Sequence, residues 1–242
     1  ILILTAIVWG TLFRRKDAAI ATAVLVPSFF LFGAYDRGYS PALTPDTVYF
    51  TESDYFTIKV KDVTSSDGST TLKSLVLDNL VHSYVKPGDP MHIEYPYERI
   101  YGEVLRWRFG KNDAFRSLTI GGGGYTFPRY MEAWYPKTDI DVVEIDPAVT
   151  KVVYRHLGLP ETTRIRSFNT DGRWFVMNSQ DAYDVVFADA YNDLSIPYHL
   201  TTREFATMLR EHMTPEGILM TNIIDNFQQG TFLPSYISTL RE

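Results

Sequence analysis

Four consecutive glycines and three acids beyond them have the types and spacing to do chemistry. Gly121-Gly122-Gly123-Gly124 follows the apolar run Ser117–Ile120 and leads into helix-compatible sequence. This is the form of a strand, a tight turn and a helix start, where backbone can approach a ligand closely. Gly121, Gly122 and Gly123 are therefore read as a cofactor turn. The third glycine of the full dinucleotide fingerprint is absent, since Thr126 and Phe127 stand where it would fall, which weakens a nicotinamide reading. Glu144, near the end of Asp139–Ile145, is placed to accept hydrogen bonds from ribose hydroxyls. Asp171, followed by Gly172, could accept from an adenine amino group, and as a helix N-cap it would look identical. Asp189 closes Asp184-Val-Val-Phe-Ala188. An acid there could take a proton from a nucleophilic amine or hold a cationic group, or it could cap the next segment. Asp146, before Pro147, reads as a cap.

The elements that must position these residues alternate regularly. The sequence predicts strand Ser117–Ile120, helix Phe127–Trp134, strand Ile140–Ile145, helix Pro147–His156, strand Thr163–Ser167, helix Gly172–Met177, strand Asp184–Ala188, helix Thr202–His212 and strand Gly217–Ile223. Such β-α repetition implies a parallel sheet with helices on both faces. Ligands of such sheets sit beyond the carboxyl ends of the strands, which selects the glycine turn, Glu144, Asp146, Asp171 and Asp189. Upstream, a helix from Tyr97 is predicted from Ile100, Tyr101, Val104, Leu105 and Trp107 at spacings of three and four. Before it, alternation in Tyr49–Val60, a hairpin around Asp67-Gly68 and a strand at Val81–Val85 predict a small antiparallel sheet.

The 242 residues carry a formal charge of −6 and no cysteine. Length suffices for one large or two small domains. The absence of a basic cluster interleaved with aromatics argues against a nucleic-acid partner, and the lack of cysteine excludes thiolate chemistry and disulfides. The five histidines show neither an i, i+4 pair nor metal-like spacing, so no metal is assigned. Tyr125, Tyr130, Trp134 and Tyr135 read as packing.

Ile1–Phe13 and Ala18–Tyr35 are apolar runs separated by Arg14-Arg15-Lys16-Asp17. A helical crossing takes about 20 apolar residues, so residues 1–35 are read as a membrane hairpin whose first span is truncated. A buried hairpin of a soluble domain is the alternative. The basic loop favours the cytoplasmic side, which would put the remainder on the periplasmic or external face, in tension with a cofactor made in the cytosol. A linker and the small β domain fill 36–95, and the nucleoside-binding domain fills 96–242.

From about Tyr49 onward the chain resembles the spermidine synthase (polyamine aminopropyltransferase) family, in its membrane-fused form. The resemblance rests on Leu75-Val-Leu-Asp-Asn-Leu-Val-His82, Tyr97-Glu-Arg-Ile-Tyr-Gly-Glu-Val-Leu105, Ile120-Gly-Gly-Gly-Gly-Tyr125, Val143-Glu-Ile-Asp146, Thr170-Asp-Gly172, Tyr183-Asp-Val-Val-Phe-Ala-Asp189 and the segment from Thr202 to Leu219. It implies an α/β fold with a Rossmann-like sheet of the S-adenosylmethionine-methyltransferase type, preceded by the antiparallel domain. After Ile223 too little chain remains for the antiparallel hairpin that usually completes the family's sheet, so a five-stranded parallel core is expected, C-terminally incomplete. By resemblance Glu144 holds the ribose of decarboxylated S-adenosylmethionine, Asp171 and Gly172 border its adenine, and Asp189 deprotonates a small amine. His82, Tyr101, Glu103 and Asp193 would shape the amine site.

The departures fall on the cationic-substrate side. The family's acid after three glycines is Gly124 here, His82 replaces a glutamine, Gly102 replaces a histidine, and Asp189-Ala-Tyr-Asn-Asp193 leaves only Asp193 as a second acid. Three readings stay open: an aminopropyltransferase in a cytoplasmic setting; another transferase using ordinary S-adenosylmethionine, with Gly124 leaving room for its carboxylate; and a non-catalytic accessory subunit among other subunits of a membrane complex.

Overall fold

The computed structural model describes residues 44–191, 196–226 and 228–241. The expected spans in 1–35, the basic loop, most of the linker and Asp193 lie outside these. Among the described residues no helix is long and apolar enough to cross a membrane.

One compact unit, Asp46–Glu242, carries two sheets. The first is antiparallel, in the order β1 (Thr47–Glu52), β2 (Thr57–Thr64), β3 (Thr71–Leu77) and β4 (Leu80–Val85). Ser65–Thr70 closes the β2–β3 hairpin through Gly68 at φ 73°. Between β3 and β4 the turn is tighter: Asp78 stands at φ 52°, and its carboxylate accepts the Thr57 amide at 2.8 Å. Asp and Asn tolerate this left-handed region because a short side chain can bond to nearby backbone.

Helix α1 (Pro96–Arg108) leads to the second sheet, with proline in its first turn and Arg106 and Arg108 in its last, an arrangement that suits the helix dipole. Its buried residues are Glu98, Tyr101, Gly102 and Leu105, a seam at spacings of three and four. Ile100 and Trp107, expected on the packed face, are 62% and 81% exposed. The helix is rotated relative to the sequence expectation, and a glutamate takes the inward position.

The second sheet is wholly parallel, in the order β7-β6-β5-β8-β9. Its strands are β5 (Arg116–Ile120), β6 (Asp139–Val143), β7 (Arg166–Phe168), β8 (Tyr183–Ala188) and β9 (Met213–Thr221), alternating with α2 (Thr126–Trp134), α3 (Pro147–His156), α4 (Gly172–Asn178) and α5 (Arg203–Glu211). The five-stranded core matches expectation, and α6 (Phe232–Arg241) follows it. Strand β7 is shorter than predicted because Thr163 and the Arg164 amide are tied to Glu132 of α2 rather than to the ladder.

Alternation along the strands divides the core in two. Ile140, Val142, Val185 and Phe187 pack with α1, α2, α3 and the inner face of the antiparallel sheet. Leu118, Ile120, Val143 and Val186 pack with Val176 of α4 and Phe205 and Leu209 of α5. Period-two side-chain direction puts helices on both faces. Both sheets thus contribute to one core, with Ile58, Val60 and Leu75 in the same cluster as Phe127 and Tyr130. Asp141 of β6 joins the strands laterally, accepting from Arg166 Nε and Nη2 at 2.6 and 2.7 Å and from the Tyr183 hydroxyl at 2.9 Å.

Candidate active site

The strand order reverses at β5, so the chain after β5 and the chain after β8 diverge over a common crevice, the topological switch point of an open α/β sheet. Gly121 has φ 96°, and a Cβ there would lie 2.3 Å from the Asp189 carbonyl oxygen. Only glycine lets the two strand ends approach this closely. The amides of Gly122 and Gly123 then donate to one carboxylate oxygen of Glu144 at 2.9 and 3.2 Å, while the Asp146 amide donates to the other at 3.0 Å. Glu144 is buried, and desolvation pushes its pKa up despite those three bonds. An acceptor-rich carboxylate fixed this way suits a ligand that brings hydroxyl donors. Asp146 itself is a cap, accepting from the Ala148 amide at 2.8 Å.

Asp189 leaves the end of β8 and is held from two sides. Tyr97 of α1 donates its hydroxyl to Oδ2 at 2.9 Å, and Asn222, just past β9, donates Nδ2 to Oδ1 at 3.1 Å. Burial raises the Asp189 pKa to about 6, and both hydrogen bonds pull against that rise. Glu98, 7% exposed, is pushed to about 8 by burial and then by the charge of Asp189. Two acids with pKa values moved toward neutrality in one crevice are suited to handling a proton or to receiving a cation. The rings of Tyr97, Tyr101, Phe127 and Phe187 run in continuous contact beside them, with centroids 5.0 to 5.5 Å apart. Aromatic faces attract cations and cover methylene chains.

These groups line a cavity of about 440 Å³, the size of a small-ligand site. Its described lining contains four carboxylates, Glu98, Glu144, Asp171 and Asp189, and no lysine or arginine. Two lining hydroxyls, of Tyr101 and Thr119, are buried with no partner among the described residues. Asp171 caps α4 through the Trp174 amide at 2.9 Å, and its other oxygen meets His199 Nε2 at 2.7 Å. It is therefore a cap and a cavity wall at once. Gly172 and His82 also border the cavity, the latter from β4.

One expected substrate contact, Glu103, and the space expected beside Gly124 are placed differently. Glu103 points outward, its side chain 74% exposed and paired with Arg106 at 2.6 Å. Residues two apart on a helix do not share a face, so Tyr101 and Glu103 cannot both look inward. Gly124 does not border the cavity. Its amide donates to Ser83 Oγ at 2.7 Å, and a Cβ there would fall 2.6 Å from Ser83 Cβ. The space expected to receive a ligand carboxylate is filled by Ser83. Restoring the acid by Gly124→Asp is expected to cost about 1–3 kcal/mol of stability through overpacking, read as a lowered denaturant midpoint, with Ser83→Gly in the same chain recovering part of it. An undiminished midpoint for Gly124→Asp alone would contradict this packing.

The sequence reading missed Tyr97, Glu98 and Asn222. The first two carried a signal, since Tyr97 and Glu98 precede Tyr101 by four and three residues and share its side of a helix. Asn222 carried none, because it meets Asp189 only through the pairing of β8 with β9.

Residues 111–230 match the spermine/spermidine synthase domain. The chain is 36% identical over 112 residues to a probable polyamine aminopropyl transferase of Bifidobacterium longum, covering 46% of this chain and 25% of that protein. It is 33% identical over 142 residues to a polyamine aminopropyltransferase of Vibrio vulnificus, covering 57% and 46%. The match thus spans less than half the length of either curated relative. Among solved structures, a probable spermidine synthase from Corynebacterium glutamicum superposes with a TM-score of 0.64 at 22% identity over 72% of this chain and 63% of that one, a likeness of fold.

Proposed function

From the premise that residues 111–230 are a spermine/spermidine synthase domain, we propose that the protein transfers an aminopropyl group from decarboxylated S-adenosylmethionine to a small amine. The observation that carries this reading is the charge of the cavity: four carboxylates and no lysine or arginine in its described lining. Decarboxylated S-adenosylmethionine has a sulfonium and an ammonium and no carboxylate, so it brings only positive charge. The ordinary form adds a carboxylate, and the described lining supplies four acids and no lysine or arginine to receive it.

In this reading Glu144 takes the ribose hydroxyls, Asp171 and Gly172 border the base, and Glu98 with the aromatic wall receives an ammonium group. The bound co-substrate supplies a carbon made electrophilic by its sulfonium. Asp189 accepts the proton that the amine must lose: the new N–C bond forms as the C–S bond breaks, its electron pair leaves on sulfur as a neutral thioether, and the proton goes to the carboxylate. Tyr97 and Asn222 each occupy one lone pair of Asp189, which leaves the remaining pairs to face the amine. Holding amine and carbon in line supplies much of the acceleration.

The test is product formation. The protein, incubated with decarboxylated S-adenosylmethionine and a panel of primary diamines, is expected to yield methylthioadenosine and an amine carrying one added aminopropyl group in equal amounts. Nucleoside binding without either product would overturn transfer. It would favour a second reading, an accessory subunit of a membrane complex, which draws its support from Gly124 standing where the family carries an acid.

A further inference from the structure

Tyr191 lies two residues past Asp189 and borders the same cavity. Its hydroxyl grips the chain just beyond β9, donating to the Asn222 carbonyl at 2.7 Å and accepting from the Ile224 amide at 3.0 Å. The register of β8 with β9 ends at Ala188 and Thr221, and the Asn222 amide donates to the Ala188 carbonyl at 3.3 Å. Past that point Ile224 is 55% exposed, so packing does little to hold it. A tyrosine hydroxyl, which can donate and accept at once, continues here what the strand ladder leaves off.

The residue this grip fixes is Asn222. Its Nδ2 donates to Asp189 Oδ1 at 3.1 Å, while Tyr97 occupies Oδ2. Asp189, Ala190 and Tyr191 thus close a ring with Asn222, Ile223 and Ile224. Ordering a side chain on a loose strand end costs conformational entropy. With the Asn222 carbonyl and the Ile224 amide both bound to one hydroxyl, the amide side chain starts from a fixed backbone. The other titratable groups that face Asp189 are Tyr95, just before α1, and Tyr97, Glu98 and Tyr101 on α1. Of these only Tyr97 bonds to it, and an ionised Glu98 opposes its charge.

We propose that Tyr191 is a positioning residue, which holds Asn222 against Asp189 and so stabilises the ionised carboxylate that serves as base in the proposed transfer. It acts through Asn222 rather than on the substrate. The inference rests on the transfer reading for its kinetic consequence alone, because the link from Tyr191 through Asn222 to Asp189 is measurable in the protein without turnover.

The test is the titration of the Asp189 carboxyl ¹³C resonance in the ligand-free protein, assigned by its loss in Asp189→Asn. The Asn222 bond favours the ionised form, so releasing Asn222 raises the midpoint. Tyr191→Phe is expected to move it upward from about 6 by about 0.5–1 pH unit, the size of one lost hydrogen bond. Asn222→Ala should shift it in the same direction, and Tyr191→Phe combined with Asn222→Ala should shift it no further than Asn222→Ala alone. Where transfer is measured, the acid limb of kcat/KM should follow the same order. In the unaltered protein the Ile224 amide should be protected from hydrogen exchange, which tests the grip even if a variant fails to fold. An unmoved midpoint in Tyr191→Phe, a double-variant shift equal to the sum of the single ones, or an unprotected Ile224 amide would overturn the inference. The expected shifts in a protein that forms no product would support the positioning and count against the transfer reading instead.

Discussion

Replacing Asp189 with asparagine is expected to lower the rate of amine transfer by about 10²- to 10⁴-fold, the range for loss of a positioned general base. The change is nearly isosteric and retains an acceptor for Tyr97, so the fold should be preserved. The pH profile separates a base from a merely structural acid. With a pKa raised to about 6 by burial, the working, ionised form of Asp189 predominates above that value. In the unaltered protein kcat/KM should therefore fall as pH drops through about 6. Tyr97 stabilises the ionised form, so Tyr97→Phe should move the acid limb to higher pH. Asp189→Asn with unchanged transfer, or with the same acid limb in its residual rate, would refute the assignment.

The second large effect is expected at Glu98. Its pKa of about 8, set first by burial and then by Asp189, leaves it largely protonated at neutral pH. A bound ammonium favours the ionised form, so cation binding should release a proton and tighten as pH rises from about 6 to about 8. A charge-assisted hydrogen bond is worth about 1.5–3 kcal/mol. Glu98→Gln is therefore expected to weaken binding of the cationic ligand by roughly 10- to 100-fold and to remove this pH dependence. Calorimetry in buffers of different ionisation enthalpy reads both quantities. Equal affinity and equal proton release in the variant would show that Glu98 faces no cation. On the proposed function, Glu98 supplies from another element an acid that Gly124 does not.

Strands β5 and β6 were legible because each carries a short apolar run that ends within a few residues of a helix start. Glu144, Asp171 and Asp189 stood out because an acid at the carboxyl end of such a strand falls into the crevice whatever the details of packing. Local sequence could not fix the rotation of α1. Ile100 and Trp107 are apolar and well spaced, yet Tyr101 and Leu105 turn inward with Glu98. A glutamate in the first turn of a helix ordinarily reads as a favourable partner of the dipole, which hid its burial. The sequence reads Gly124 as a lost acid facing the ligand, whereas it packs against Ser83 and does not border the cavity. Its environment is Ser83, 41 residues earlier, brought there by the antiparallel sheet. Contacts that depend on how one sheet covers another, like those of Asn222 with Asp189, leave no periodic trace in the chain.

The proposed function requires a cavity matched to a nucleoside that carries positive charge and no carboxylate. Titration calorimetry of the protein with decarboxylated and with ordinary S-adenosylmethionine tests this directly. The decarboxylated form is expected to bind at least about tenfold more tightly, a difference of about 1.4 kcal/mol. Equal or tighter binding of the ordinary form, or no binding of either, would contradict it.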